Sequence, residues 1–157
     1  MKITADLTRG TLRANGSVFL ITNKVRSLRN GARASYEVIR SIPDNLPYDP
    51  QPFPTGLWNV TGVEWQKEKR FDLDTYGPVK IRTDAWRLVN VWELDKDGDY
   101  LKETVRQVRD EAYLLHYSDS STTLGCIRLA SPADAEALAM LVQRLLGSGE
   151  AVQLEVA

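Results

Sequence analysis

Ser131-Pro-Ala-Asp-Ala-Glu-Ala-Leu-Ala-Met-Leu-Val-Gln-Arg-Leu-Leu-Gly147-Ser-Gly-Glu-Ala-Val-Gln-Leu-Glu-Val156 carries both periodicities on which the fold reading rests. Ser131 is placed to cap a helix, Pro132 suits the first helical position, and Asp134 sets an acid against the unpaired amides of the first turn. Leu138, Leu141, Val142 and Leu145 then recur at helical spacing, and Gly147 supplies a stop. Beyond it the period changes: Val152, Leu154 and Val156 alternate, as a half-buried strand requires.

Upstream the chain reads as strands and turns. Ser17–Thr22 is rich in branched and aromatic residues and follows the turn pair Asn15-Gly16. Ser35–Ser41 also reads as a strand, with its buried side undecided. Ile42–Pro54 holds five of the seven prolines, so it cannot be a helix or a central strand and reads as a long ordered surface loop. Strands resume at Gly56–Val63, Val79–Thr83 and Trp86–Leu94, with a turn at Asp95–Asp99 and a short buried strand at Tyr113–His116. Leu101–Glu111 fits either period; Leu101, Val105 and Val108 on one face favour a helix. These elements describe a mostly β, α+β domain spanning residues 1–157, with one main C-terminal helix packed on it.

The chain has 157 residues, 43% of them hydrophobic, which suits one domain with one core. Twenty basic against 21 acidic residues leave a net charge of −1, without the basic excess of a nucleic-acid binder. No stretch approaches the roughly 20 apolar residues of a membrane helix. Met1–Gly10 lacks the apolar core of a signal peptide, so a cytoplasmic location as synthesised is expected.

The sole cysteine and the sole histidine lie ten residues apart, in Tyr113-Leu-Leu-His116-Tyr-Ser-Asp-Ser-Ser-Thr-Thr-Leu-Gly125-Cys126-Ile-Arg128-Leu. A strand delivers His116 to a polar loop that returns to Cys126. An imidazole beside a thiol can take its proton, and only the thiolate is a strong nucleophile. Gly125 permits a tight turn, after which the Cys126 amide and its neighbours would face a developing oxyanion. Arg128 adds positive charge that favours a thiolate and suits a substrate carboxylate. Equally, a free cysteine is often a small buried hydrophobe and a lone histidine a structural residue. Ser118, Asp119, Ser120 and Ser121 either orient His116 or form a solvated loop.

Thr123-Leu-Gly-Cys-Ile-Arg128 resembles the Ser/Thr-x-Gly-Cys-x-Arg signature of YkuD-type L,D-transpeptidases. Pro54-Thr-Gly-Leu-Trp58-Asn-Val60 is similar to that family's glycine strand, Tyr113–His116 to its histidine strand, and Asp134 through Val142 to its closing helix. The likeness runs from about residue 50 to the end, with Met1–Ile42 supplying the first strands. It implies an L,D-transpeptidase-like β-sandwich. It also implies ping-pong acyl transfer on peptidoglycan stem peptides, as transpeptidase or carboxypeptidase, with no cofactor and no metal. Cys126 maps to the nucleophile and His116 to the base. Arg128, Gly125, Thr123 and Tyr117 map to the substrate-binding and oxyanion region. The sequence departs from the pattern in three places: Leu124 stands where a second histidine is often found, the His–Cys interval is short, and Tyr117 replaces a small residue. Compact relatives among phage proteins and injected effectors imply a delivery-system partner or an immunity protein, and action in the periplasm or cell wall after such delivery. Two alternatives remain: another thiol amidase or peptidase, or a non-catalytic phage or secretion-system module.

If the pair is catalytic, Cys126 and His116 should lie within or just beyond hydrogen-bond reach in a concave, partly exposed site, with Arg128 pointing towards it. Asp95-Lys-Asp97-Gly-Asp99 is a weaker signal. Tyr100 and Arg106 occupy the positions where a calcium loop needs glycine and glutamate, which favours a hairpin turn. Trp58, Trp65, Trp86 and Trp92 are expected at core or half-buried strand positions ahead of a sugar-binding groove.

Overall fold

Alternation along Lys2–Asp6 (β1), Thr11–Ala14 (β2) and Ser17–Thr22 (β3) sends Ile3, Ala5, Leu12, Ala14 and Ile21 into one shared core. The computed structural model describes residues 1–25, 42, 46–66 and 76–157. Asn15 and Gly16 join β2 to β3 with φ of 48° and 81°, the left-handed pair whose twist matches a two-residue hairpin. Further strands follow at Gly56–Trp65 (β4), Val79–Thr83 (β5), Arg87–Val91 (β6), Arg106–Asp110 (β7), Leu114–Tyr117 (β8), Ile127–Leu129 (β9) and Gln153–Val156 (β10). Pro132–Gly147 forms a 16-residue α-helix (α1).

The sandwich expected from the resemblance is not what forms. Eight strands close into a barrel in the order β1-β10-β4-β5-β8-β9-β3-β2. Closure depends on two parallel pairings, β1 with β10 and β8 with β9, which join segments far apart and close together in the chain respectively. They leave no open edge in this sheet, and so no row of unpaired amides.

The helix begins as its sequence dictates: the Ser131 hydroxyl accepts from the Asp134 amide at 3.1 Å. Its buried stripe of Ala135, Leu138, Ala139 and Val142 joins the core with Val60, Ile81, Leu115, Ile127 and Leu129. It is seated on β4, β5, β8 and β9. Leu138 is fully buried, so its truncation to alanine carries the usual penalty of about 2–5 kcal/mol. The Trp65 indole also donates to the Gln143 amide oxygen at 2.8 Å, fastening β4 to the helix.

Leu101–Glu111 is not helical. Lys102–Thr104 makes one 3₁₀ turn, and β7 then pairs antiparallel with β6, from Arg87↔Asp110 to Val91↔Arg106. Five ladder positions and the apolar contact of Val108 outweigh a weak helical preference. This two-stranded ribbon carries its own cluster of Ile42, Tyr48, Val89 and Val91. Tyr48 belongs to the proline-rich segment, whose described residues form no strand and bridge to Val91. Ser35–Ser41 lies outside the described residues. Trp92 is buried and Trp58 and Trp65 are half-buried, whereas Trp86 stands exposed on the ribbon with Arg109 stacked over it. Asp95–Asp99 is the expected turn, its Asp95 carboxylate accepting from the Asp97 and Asp99 amides. No helix among the described residues is long and apolar enough to cross a membrane.

Candidate active site

Leu115 and Ile127 face the core as partners in the parallel β8–β9 ladder. Alternation therefore turns His116, Cys126 and Arg128 to the other face. His116 is the cross-strand partner of Arg128, and Cys126, the residue just before β9, lies diagonal to His116. The structure thus brings together the three residues picked out by the sequence.

It buries them more than expected. Cys126 and His116 are each 5% exposed and Arg128 is 9% exposed, in place of a partly exposed concave site. Tyr76 supplies part of the cover, meeting the His116 ring edge-on at 5.2 Å and packing with Leu114 and Cys126.

The thiol and imidazole are not directly hydrogen-bonded. The Leu114 amide donates to the Cys126 Sγ at 3.4 Å, and the Sγ lies 3.7 Å from the Ala112 carbonyl. The His116 Nδ1 lies 2.8 Å from the Tyr117 carbonyl. A carbonyl can only accept, so Nδ1 carries the proton and Nε2 presents its lone pair. Burial lowers the pKa of His116 from 6.5 to about 4, with Arg128 and Lys80 adding to the effect and the bond to Tyr117 opposing it. At neutral pH the ring is uncharged and able to accept a proton.

The turn before Cys126 is held from three sides. Gly125 has φ of 129°, and a Cβ there would come within 2.6 Å of the Gln51 carbonyl and 2.7 Å of the Tyr113 ring. Glycine is required on both counts. The Thr123 hydroxyl accepts from the Gly125 amide at 3.2 Å, and the Thr123 amide donates to Lys24. In this conformation these two amides are engaged, the first within the loop and the second with the residue beyond Asn23. Thr123 and Gly125 shape the turn. Leu124, at the place of the second histidine, packs against the ribbon cluster as an apolar anchor.

Arg128 donates through Nη2 to the Ser118 carbonyl. Burial lowers its pKa, while Tyr117 and Asp119 act in the opposite direction. Tyr117 contributes its carbonyl to His116, and its ring packs on the main core. Ser118 and Ser120 turn back on their own loop, accepting from the Ser120 and Thr122 amides, so they do not orient the imidazole.

Comparison with protein-family models, with curated proteins and with solved structures finds no match.

Two participants escaped the sequence reading. Asn23 donates to the Gly125 and Cys126 carbonyls at 2.8 and 2.9 Å and accepts from the Phe53 amide at 3.0 Å. One side chain thus ties together β3, the cysteine turn and the proline-rich segment. Lys80, 7% exposed, is the partner of His116 on β5 and sits 4.1 Å over the Tyr76 ring. Neither belongs to a local motif; only the strand register could have revealed them. A groove of about 470 Å³ is lined by Arg9, Thr22, Asn23, Lys24 and Pro52, and of these Asn23 is bonded to the cysteine turn.

Proposed function

We propose that the chain is a cysteine acyltransferase or peptidase of L,D-transpeptidase type, acting on peptidoglycan stem peptides. The observation that carries this reading is the shared face of β8 and β9, where His116 and Arg128 are cross-strand partners and Cys126, just ahead of β9, lies diagonal to His116 behind a turn that tolerates only glycine. The six-residue signature supplies the substrate class. In the reaction, a side-chain rotation takes Cys126 from the Leu114 amide towards His116, a change between staggered rotamers. His116 accepts the thiol proton on Nε2, and sulfur attacks the carbonyl after the L-centre. The C–N bond breaks, the proton passes to the departing amine of the terminal D-residue, and the acyl group stays on sulfur. An amine acceptor then gives a cross-link, and water gives carboxypeptidase activity. Delivery to the cell wall, with a delivery-system or immunity partner, belongs to the same proposal.

The burial of Cys126 favours a second reading, a non-catalytic module that keeps a small hydrophobic cysteine in its sheet. Intact-mass analysis after incubation with purified muropeptides separates the two. The first expects an acyl adduct on Cys126 in the wild type, none in Cys126→Ala, and at least 100-fold slower formation in His116→Ala. No adduct and no turnover, together with sluggish thiol alkylation at neutral pH, would establish the structural module.

A further inference from the structure

Register places three basic side chains in one row on the site face: Lys80 on β5 opposite His116 on β8, and His116 opposite Arg128 on β9. Besides the imidazole the row holds an ammonium and a guanidinium side chain, and both residues are more than nine-tenths buried. Among the described residues neither forms an ion pair. Glu64, the residue opposite Lys80 on β4, pairs instead with Arg82. Lys80 has the face of the Tyr76 ring, and Arg128 has the neutral carbonyl of Ser118. The Arg128 Nε is buried with no hydrogen-bond partner. A buried cationic side chain without a directly paired carboxylate is costly, Asp119 acting on Arg128 only from beyond ion-pair distance, and a buried donor left unmade adds to that cost. Such an arrangement is held in readiness for an anion.

We propose that Lys80 and Arg128 together form a carboxylate subsite beside Cys126, with Lys80 as a specificity-determining residue for the acyl donor. This deepens the acyl-transfer reading and rests on it for the identity of the donor. The geometry suits one carboxylate. The two Cα atoms are two strand spacings apart, about 9.6 Å, a gap that two long side chains can close from both sides. One carboxylate oxygen takes the unpaired Arg128 Nε and the other takes the Lys80 Nζ. The free carboxylate of a terminal D-residue fits this requirement, and its amide does not, because a neutral amide brings no negative charge to either cationic side chain.

His116, the only histidine in the chain, reports on the subsite because it lies between the two cations. Its ring proton resonances are followed by NMR while N-acetyl-D-alanine or N-acetyl-D-alaninamide is added. The carboxylate is expected to shift the resonance saturably and to raise the pKa of His116 from about 4, since it offsets the neighbouring positive charge. The amide should do neither. Lys80→Gln should weaken carboxylate binding by roughly ten-fold or more, and Lys80→Arg should largely retain it. Lys80→Met keeps the apolar stem over Tyr76 and serves if the glutamine variant fails to fold. Equal responses to carboxylate and amide, no saturable shift, or unchanged binding in folded Lys80 variants would overturn the subsite. Wild-type protein that binds the carboxylate but never forms a Cys126 adduct would keep the subsite and overturn acyl transfer. Equal adduct formation from donors with free and amidated termini would keep acyl transfer and overturn the subsite.

Discussion

Acidification tests the buried imidazole directly. His116 titrates at about 4 in the folded chain against 6.5 when unperturbed. Well above pH 6.5 it is neutral in both states and contributes no pH dependence. As pH falls through 6.5, the unfolded chain takes up a proton that the folded chain refuses, so stability declines. The decline continues until the folded imidazole itself protonates near pH 4, and there it levels off. At 1.36 kcal/mol for each tenfold difference in proton affinity, the full loss is roughly 3 kcal/mol. With the ring 5% exposed, solvent screening takes little from that figure. Against a typical total of about 5–15 kcal/mol, the loss is large enough to measure.

Urea unfolding between pH 7.5 and 4 gives the quantity, with His116→Asn as the reference that removes the contribution of carboxylates. Asparagine can still donate to the Tyr117 carbonyl but has no titrating group. The difference in stability between wild type and variant should change by about 3 kcal/mol across the window, in the direction that disfavours the wild type in acid. The histidine NMR resonance should titrate near 4, and any acid limb of kcat/KM in the free enzyme should fall there too. A constant difference between the two proteins, or a histidine titrating at its ordinary value, would refute the assigned burial and with it the described site.

Gly125→Ala should cost at least about 3 kcal/mol, because it combines left-handed strain with a Cβ lodged against the Gln51 carbonyl and Tyr113 ring; a thermal melt within 2 °C of wild type would contradict it. Asn23→Ala removes three hydrogen bonds at the cysteine turn and should destabilise by about 2–3 kcal/mol while lowering adduct formation more than the melt alone explains. Asn23→Asp keeps the acceptor for Phe53 but loses both donors, so it should resemble the alanine variant in adduct rate; recovery of the wild-type rate would remove Asn23 as a positioning residue.

Elements whose signals are local were legible in the sequence. Ser131, Pro132 and Asp134 mark the start of α1 because capping depends on four neighbouring residues, and Asn15-Gly16 marks the β2–β3 hairpin because its φ angles exclude most other pairs. The β7 strand was read as a helix because Val105 and Val108 satisfy a helical spacing, whereas the pairing that settles the matter lies on β6, nearly twenty residues away in the chain. Barrel closure was invisible for the same reason. The ladder from Lys2↔Gln153 to Ala5↔Val156 joins the first strand to the last, and no property of either strand announces its partner.

The site divides along the same line. Cys126, His116 and Arg128 could be named because they lie within thirteen residues of chain and carry a recognisable motif. Lys80 could not, since Val79-Lys80-Ile81-Arg82 reads as an ordinary alternating strand with basic residues on its exposed side. What separates Lys80 from Arg82 is register alone. Arg82 stands opposite Leu114 and pairs with Glu64, whereas Lys80 stands opposite His116 and pairs with no carboxylate among the described residues. Two lysine-like positions of identical sequence character therefore acquire different electrostatic burdens from a shift of two residues along one strand. Lys80 together with Arg128 accounts for part of the depression of the His116 pKa, beyond what burial alone gives. The property that makes the imidazole an uncharged acceptor at neutral pH thus depends on a residue that only the assembled sheet brings to it.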